Sequence, residues 1–453
     1  MQILFRRSLI LSQSIVRSLS SSTVNSLFNF KSRAVPRVMK LENTQYGFIF
    51  SPELTQLLQV FEKYKYEIRL CGGAVRDILL GQTPTDLDFA TIATPNEMVE
   101  MLEKENIRLV NKGGLKHGTV TSHINGLSFE VTTLRIDVVT DGRHADVEFT
   151  KDWALDAERR DLTVNSMFLG MDGTLYDYFN GYEDLKKRHI KFVGDANKRI
   201  SEDYLRILRY FRFYGRLANA PNDHDNDILE AIREKGKGLE QISGERIWSE
   251  LSKILEGNFG PELMMVILNL DLGPFIGLPN RVDIDEFNKI TSRAKGLKLH
   301  PITMLTALLK EPQDMITLNN RLKFRVFDRE LGLFLIESRN DNWNPESVKK
   351  YKIKMIQNAS KQNVIKEYIE QLLKYCNERT ILDEFEKWTP PKFPVSGKMV
   401  KNKEINGRAV GHIMNKLVEY WADDDFKTDV NELLNLIPKA RIESLEDMTK
   451  KKK

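Results

Sequence analysis

The chain has 453 residues, of which 41% are hydrophobic and 29% are charged, a composition that is typical of a folded globular protein and excludes extensive disorder. The formal net charge of +4 comes from the two ends, because residues 1–41 carry seven basic and no acidic side chains and the last four residues are lysines. The stretch between them has a net charge of −7, so the overall charge is no evidence for nucleic-acid binding. Two cysteines far apart in sequence, and no apolar run of ~20 residues, exclude a disulfide scaffold, a thiolate zinc site and a membrane span.

Residues 1–41 have the composition of a mitochondrial transit peptide. They are rich in Arg and Ser, contain no acid, and place apolar residues at roughly helical spacing. A disordered basic arm is the alternative interpretation. Met39 offers a second start, which would give a form for the cytoplasm or nucleus. The lysines at 450–453 are interpreted as a solvated basic tail.

The rest of the chain divides into a mixed part and a helical part. Beyond Glu183 helical periodicity dominates, which predicts an α+β head domain followed by an all-α remainder. The helices of the head are expected to begin near Ala74 and Pro95. Strands are predicted at 68–71, 87–91, 119–123, 129–134 and 167–171, and later helices at 202–216, 244–255, 364–375 and 408–421.

The first predicted strand ends in Gly72 and Gly73, and a short helix follows. Paired glycines let the backbone approach a ligand closely, and a helix start offers free N–H groups to a phosphate. Arg76, one turn into the helix, would add a bidentate contact to the same anion. The segment therefore predicts a nucleotide-phosphate site.

Carboxylates follow on the next strands. Asp86 and Asp88 are two residues apart on a predicted strand, so both should point to one face. Two carboxylates projecting together suit Mg²⁺, which completes its shell with water and substrate phosphates. Glu130, on the strand predicted at 129–134, is a candidate third catalytic carboxylate, and a buried structural role is the alternative.

The combination of strand, Gly-Gly, helix, turn and Asp-x-Asp within residues 68–91 is specific. It resembles the first motif of the class II tRNA nucleotidyltransferases, the CCA-adding enzymes of the polymerase-β-like superfamily. The resemblance implies a polymerase-β-like palm as the head, then a helical neck, body and tail that bind the acceptor arm and 3′ end of tRNA. The implied division is transit peptide 1–41, head 42–182, neck 183–270, body and tail 271–449, and basic tail 450–453.

A second stretch, residues 158–165, reads Glu-Arg-Arg-Asp-Leu-Thr-Val-Asn and resembles the second motif of the family. The resemblance implies that Arg160 and Asp161 contact the sugar and phosphates of the nucleotide, with Asn165 in support. The alternative interpretation is a helix N-terminus capped by Asp161 or Thr163.

A third stretch, residues 202–216, is predicted as one helix. Its arginines at 206, 209, 212 and 216 fall within an arc of about 120° at 100° per residue, with few acids nearby, which predicts an anion-binding face. The resemblance implies that Asp203 and Arg206 select the incoming base, and that Arg209 and Arg212 hold its triphosphate or base. A carboxylate accepts from the exocyclic amine of C or A, while Arg donates to the adjacent ring acceptor.

Residues 135–144 are polar and contain Gly142, and they resemble the flexible loop with which complete CCA-adding enzymes switch from C to A. Farther on, Gly397, Lys398, Gly407 and Arg408 place small residues and bases before helices. Backbone N–H groups there would bind RNA phosphates, and a plain helical hairpin turn fits equally well.

These features predict a Mg²⁺-dependent enzyme that adds C, C and A to tRNA 3′ ends from CTP and ATP without a nucleic-acid template. Asp86 and Asp88 would bind the metal. A mitochondrial location follows from the leader, and no membrane partner is expected. Two alternatives stay open at this point: a poly(A) polymerase of the same superfamily, and a catalytically inert RNA-binding protein on the same scaffold.

Overall fold

The computed structural model describes residues 35–110, 112–140, 145–401, 405 and 407–450. These residues form two compact units, the first ending at Asp203 and the second beginning at Tyr204. Most of the predicted transit peptide (1–34), residues 141–144 of the predicted loop and the last three lysines (451–453) lie outside the described residues.

The first unit is built on a mixed β-sheet. Its strands are β1 (Arg37–Lys40), β2 (Ile68–Cys71), β3 (Asp88–Thr91), β4 (Arg108–Val110), β5 (Thr119–Ile124), β6 (Leu127–Thr133), β7 (Arg135–Thr140), β8 (Ala145–Phe149), β9 (Phe168–Gly170) and β10 (Thr174–Asp177). Within the described residues, eight of them form one sheet in the order β1-β10-β9-β2-β3-β6-β5-β4, and β7 and β8 pair separately. At the centre, β2 is antiparallel to both β3 and β9, whereas β3 and β6 are parallel. The five predicted strands are present as β2, β3, β5, β6 and β9.

Helices pack on this sheet, and local sequence determines where they begin. They are α1 (Asn43–Tyr46), α2 (Pro52–Lys63), α3 (Gly73–Leu79), α4 (Pro95–Lys104), α5 (Trp153–Glu158), α6 (Gly181–Lys187) and α7 (Ala196–Glu202). The Ser51 side chain accepts from the Leu54 N–H at the start of α2. Thr94 and Glu97 form a reciprocal capping box around Pro95, the first residue of α4.

The sheet of the first unit includes residues that precede the predicted start of the head. The strand β1 pairs with β10 from Arg37 to Lys40, although the transit peptide was expected to extend to residue 41. Arg37 Nη1 also lies 2.8 Å from Glu183 Oε1, and the Leu41 N–H donates to the Gly173 carbonyl at 2.8 Å. Residues 37–40 are therefore part of the sheet, and the end of the transit peptide at residue 41 stays a prediction. A chain that starts at Met39 would lack the first half of β1.

The first compact unit also continues past residue 182, the predicted end of the head. Thr163 Oγ1 donates to Asp184 Oδ2 at 2.7 Å, and Arg199 Nη1 donates to the Glu158 carbonyl at 2.7 Å. These bonds attach α6 to the segment after α5 and α7 to the last residue of α5. The first unit consequently includes residues that the sequence had placed in the neck.

The second unit consists of helices in its described residues. They are α8 (Arg206–Leu217), α9 (Asn226–Lys235), α10 (Gly244–Glu256), α11 (Gly260–Asn269), α12 (Ile284–Arg293), α13 (Pro301–Thr306), α14 (Pro312–Leu322), α15 (Val326–Ser338), α16 (Pro345–Gln357), α17 (Gln362–Cys376), α18 (Arg379–Lys387), α19 (Gly397–Val400), α20 (Arg408–Asp423), α21 (Val430–Asn435) and α22 (Ile437–Lys450). Near the C-terminus, Trp421 and Leu417 of α20 pack with Leu433 and Ile356 in a separate apolar cluster. Nowhere in the described part of the chain is a helix both long and apolar enough to cross a membrane.

Candidate active site

The turn between β2 and α3 brings the first two motifs together. Gly72 has φ +65° and ψ −130°, a conformation that glycine adopts without the strain of a side chain. A Cβ atom at Gly72 would lie 3.4 Å from Arg160 Nη1, and one at Gly73 would lie 3.4 Å from Arg76 Nη2. Gly72 therefore lies against the arginine of the second motif, and its positive φ is what favours glycine there.

Two of the predicted carboxylates are direct neighbours in the sheet. Asp88 is the first residue of β3, and its partner in the parallel register with β6 is Glu130. Glu130 is exposed, so its interpretation as a buried structural residue is wrong. Asp86 lies in the bend before β3 rather than on the strand, and alternation along a strand does not explain its placement. Its position before the strand still leaves it close enough for its charge to act on Asp88.

The electrostatics of Asp88 indicate a site that accepts a cation. Its residue surface is exposed, yet partial removal of the carboxylate from water raises its pKa, and the negative charges of Glu130 and Asp86 raise it further. Among the described residues, no group of three His, Cys, Asp or Glu side chains could hold a metal ion by itself. A divalent ion held by two carboxylates, water and substrate phosphates fits this arrangement, because it needs no third protein ligand.

Replacing Asp88 with asparagine should stabilise the metal-free protein. In the folded state the raised pKa means that ionisation of Asp88 costs free energy, a cost that is fully present above the raised pKa and is absent below the ordinary value of 3.8. At neutral pH with EDTA, we expect Asp88→Asn to raise Tm slightly. The gain in the free energy of unfolding should be less than about 1 kcal/mol, because solvent screens the charges.

Thermal denaturation with and without Mg²⁺ checks this expectation. Mg²⁺ should raise the Tm of the unchanged protein and have little effect on Asp88→Asn. The Tm advantage of the variant should also shrink as the pH is lowered toward 3.8. A variant that is less stable than the parent in EDTA would contradict the conclusion that ionised Asp88 destabilises the metal-free fold.

In the second motif, Arg160 is held firmly from two sides. Its Nε and Nη2 atoms donate to Asp156 Oδ2 at 3.2 and 3.0 Å, and Nη1 donates to the Asn165 carbonyl at 3.3 Å. The guanidinium also lies 4.8 Å from the centre of the Phe168 ring. Its positive charge offsets part of the rise in the pKa of Asp88, which places Arg160 near the carboxylates.

Asp161 and Asn165 are buried beside Arg160. Asp161 Oδ1 accepts from the Leu162 N–H at 2.9 Å, and Leu162, not Asp161 or Thr163, is the N-cap of the short 3₁₀-helix Thr163–Asn165. The alternative interpretation of this stretch as a capped helix start is therefore wrong. In this motif the structure instead shows a buried polar cluster beside Arg160.

Arg76 lies deeper than predicted. It is 2% exposed, its Nε and Nη2 atoms donate to Asp77 Oδ1 at 3.0 and 2.9 Å, and Nη1 donates to Asn165 Oδ1 at 2.7 Å. Its guanidinium thus joins α3 to the second motif instead of projecting into solvent. A direct bond from Arg76 to a nucleotide stays a prediction, whereas its support of Asn165 is visible.

The helix predicted at 202–216 is broken. The helix α7 ends at Glu202, Asp203 has an extended backbone with φ −152° and ψ 107°, and α8 begins at Arg206. Asp203 and Arg206 are therefore not on one continuous helix. Asp203 is the C-cap residue after α7 and the last residue of the first unit, whereas Arg206 is the first residue of α8 in the second unit.

The arginines of α8 are better neutralised than the sequence indicated. Arg206 is 9% exposed, and Arg212 Nη1 lies 2.9 Å from Oε1 of the buried Glu250 in α10. Arg209 and Arg212 both lie over the Phe213 ring, with guanidinium carbons 5.5 and 4.4 Å from its centre. The expectation of an under-neutralised arginine face is wrong at Arg212, because its acid comes from a helix distant in sequence.

The predicted flexible loop is partly regular. Residues 135–140 form β7, which pairs with β8 (for example Arg135 with Phe149), while residues 141–144 lie outside the described part of the chain. Sequence reasoning also missed Asp156, the partner of both Arg159 and Arg160. Its signal was present, because an acid three and four residues before two arginines is the spacing of helical ion pairs.

Three kinds of similarity bear on this geometry. Residues 68–191 match the family model described as the Poly A polymerase head domain, and residues 225–273 match the model described as a probable RNA and SrmB-binding site of polymerase A. The chain is 47% identical over 407 residues to the human protein named CCA tRNA nucleotidyltransferase 1, mitochondrial, covering 89% of this chain and 93% of that protein. It is 40% identical over 224 residues to a CCA-adding enzyme of Oceanobacillus iheyensis, covering 49% of this chain and 53% of that protein.

Solved structures agree in fold. The Bacillus stearothermophilus CCA-adding enzyme in complex with CTP superposes with a TM-score of 0.65 at 22% identity, covering 89% of this chain and all of that one. The Thermotoga maritima CCA-adding enzyme in complex with tRNA gives a TM-score of 0.60 at 19% identity, covering 89% of this chain and 99% of that one. At these identities the likeness establishes the α+β head followed by helices.

Proposed function

The chain belongs to the family of CCA tRNA nucleotidyltransferases, and we propose that it adds C, C and A to tRNA 3′ ends from CTP and ATP without a nucleic-acid template. The observation that carries the site assignment is the placement of Asp88 beside Glu130 in the sheet, within electrostatic reach of Asp86 and Arg160. Such a cluster suits phosphoryl transfer, because the carboxylates would hold a divalent cation and that cation, together with Arg160, would stabilise the negative charge of the phosphates.

Nucleotidyltransferases of this family use divalent metal ions, and we assign the ion here as Mg²⁺ held by Asp86 and Asp88. When bound there, Mg²⁺ would make the tRNA 3′ hydroxyl more acidic and stabilise the departing pyrophosphate. Glu130 lies beside Asp88 and would accept a hydrogen bond from water or substrate in the same shell.

The protein's own residues orient the reactants. The 3′ oxygen of tRNA attacks the α-phosphorus of CTP or ATP, a new P–O bond forms, the bond to the β-phosphate oxygen breaks, and pyrophosphate leaves. Arg160, fixed by Asp156, would hold the triphosphate or sugar near the Gly72 turn. Asp161 would contact the ribose of the nucleotide, with Asn165 in support.

Base selection is assigned to Asp203 and Arg206, with Arg209 and Arg212 holding the nucleotide. The carboxylate would accept from the exocyclic amine of C or A, and the guanidinium would donate to the ring nitrogen. U lacks the amine, and G presents a ring N–H donor to the guanidinium. The segment 135–144 supports complete CCA synthesis rather than CC addition.

A mitochondrial location is proposed from the basic leader and from the name of the human relative. A second form for the cytoplasm or nucleus would start at Met39. Such a form would lack the ion pair between Arg37 and Glu183, since Arg37 precedes that start.

Product length on one substrate separates this function from its enzyme rival. We expect the purified protein, given Mg²⁺, CTP and ATP, to extend a tRNA transcript lacking CCA by three nucleotides and stop. The family model named for poly(A) polymerase makes the rival concrete, since that activity would produce a long ladder of A additions. A ladder from ATP alone would contradict CCA synthesis, and no extension at all would revive the inert RNA-binding alternative.

A further inference from the structure

A buried carboxylate in α5 connects two parts of the head domain. Asp156 is 1% exposed, and its two carboxylate oxygens accept hydrogen bonds from different residues. Oδ1 accepts from the backbone N–H of Arg135 at 3.1 Å and from Arg159 Nε at 2.9 Å, whereas Oδ2 accepts from Arg160 Nε and Nη2 at 3.2 and 3.0 Å. Both oxygens accept hydrogen bonds, and the carboxylate itself is buried.

The Oδ2 side leads to the candidate active site. Arg160 has little freedom, because Asp156, the Asn165 carbonyl and the Phe168 ring contact its guanidinium. The same guanidinium would lie 3.4 Å from a Cβ atom at Gly72. A small movement of Asp156 would therefore displace the Arg160 guanidinium, which lies next to the Gly-Gly turn and whose charge influences the pKa of Asp88.

The Oδ1 side leads to the β7–β8 hairpin. Arg135 is the first residue of β7, and its Nη1 atom donates to the His117 carbonyl. The next residue, Gly118, accepts from the Thr133 N–H at 2.9 Å through its carbonyl. The base of the hairpin is thus attached to the turn before β5 on one side and to Asp156 on the other.

The charge state of Asp156 suits this double role. Burial alone would raise its pKa, but the charges of Arg159 and Arg160 and the Arg135 N–H outweigh burial, so the pKa is lowered. The carboxylate is therefore ionised at neutral pH, and both oxygens act as acceptors.

We propose that Asp156 is a positioning residue that couples the β7–β8 hairpin to Arg160, and that this coupling determines the efficiency of A addition relative to C addition. The inference rests on the proposed function, because the roles of the hairpin segment and of Arg160 belong to it. One rigid carboxylate shared by the hairpin and the arginine transmits a shift of either to the other. Sequence spacing alone explains only its pairing with Arg159 and Arg160.

The first test is Asp156→Asn, which keeps the shape of the side chain and one oxygen acceptor. Its NH₂ group replaces the other oxygen and cannot accept from the donors on that side. Single-step kcat/KM is measured for CTP on tRNA lacking CCA and for ATP on tRNA ending in CC. We expect A addition to fall by about tenfold more than C addition, the scale of one lost hydrogen bond to a charged group. The matched control is Asp152→Asn in the cap of the same helix, where asparagine can still accept from the Ala154 N–H, and its ratio should be unchanged.

A second pair of variants isolates the backbone bond and keeps the proposal testable if Asp156→Asn fails to fold. Arg135→Ala and Arg135→Pro both lose the side-chain bond to His117, but only proline removes the N–H that Asp156 accepts. Proline is tolerated at the first residue of a strand. We expect the proline variant to add A more slowly than the alanine variant, while their rates of C addition agree.

Equal losses in both steps for Asp156→Asn, together with identical behaviour of the two Arg135 variants, would overturn the coupling and leave Asp156 as a support for Arg160 alone. Failure of the proposed function gives a different result. In that case the unchanged protein itself would not complete CCA on the same substrates.

Discussion

Replacing Asp86 with alanine is expected to reduce C and A incorporation by about 10³-fold or more, because a metal ligand contributes several kcal/mol to stabilising the transition state. The fold should tolerate the change. Asp86 is exposed and lies in the bend before β3, and its carboxylate accepts a hydrogen bond from the Thr85 hydroxyl at 3.3 Å. Loss of activity with an unchanged Tm would therefore report chemistry and not unfolding.

Two measurements make this result specific. Binding of tRNA, followed by gel shift or filter retention, should survive in Asp86→Ala, because tRNA recognition is assigned to the helical unit. The matched control is Thr85→Ala, which removes the hydroxyl but keeps the carboxylate and should retain activity close to that of the parent. Near-parental incorporation by Asp86→Ala would show that the metal lies elsewhere.

The sequence predicted the parts of this site that depend on local pattern. The β2 strand, the Gly-Gly turn and the start of α3 follow from a short apolar run, two glycines and a helical pattern within one stretch. Glu130 was also found from its strand alone, and the register that places it beside Asp88 then followed from the parallel pairing of β3 with β6. The Gly-Gly turn needed no information from distant segments, whereas the register of Asp88 with Glu130 joins two strands that are far apart in sequence.

Features that depend on distant segments were missed or misjudged. The pairing of Arg212 with Glu250 joins residues 38 positions apart, so counting local acids could not reveal it. The strand β1 escaped because Arg37–Lys40 is a largely exposed edge strand that shares the basic composition of the leader. The break after Glu202 was hidden because the apolar and arginine periodicity of α8 runs on from the preceding residues.

The burial of Arg76 has the same origin. A position one turn into a helix, after a phosphate-binding type of turn, fits a solvent-facing anion contact. In the structure the same guanidinium instead satisfies Asp77 and Asn165, residues that a one-dimensional pattern cannot bring together. Cationic residues near glycine turns thus divide into those that meet the ligand and those that hold the motif, and only three-dimensional contacts separate the two.

Changing the proposed base-reading pair should relax nucleotide selection without abolishing catalysis. A bidentate contact between a side chain and a base edge contributes roughly 1–3 kcal/mol of discrimination, so Asp203→Asn should lower the preference for CTP over UTP by about 10- to 100-fold. The asparagine amide can turn its NH₂ group toward the O4 carbonyl of uracil, which the carboxylate cannot do. The measurement is kcat/KM for each of the four nucleotides on tRNA lacking CCA.

Arg206 requires a conservative variant, because it is 9% exposed and alanine would leave a cavity and its buried surroundings unpaired. Arg206→Lys keeps the charge but loses the planar fork that matches a base edge, so selectivity should fall while the fold survives. Arg216→Ala, an exposed change in the last turn of α8, is the control and should keep the parental order of nucleotides. If incorporation fell equally for all four nucleotides in both Asp203→Asn and Arg206→Lys, these residues would serve to bind nucleotide in general. The reading of C and A would then have to come from other residues of the chain or from the tRNA end itself.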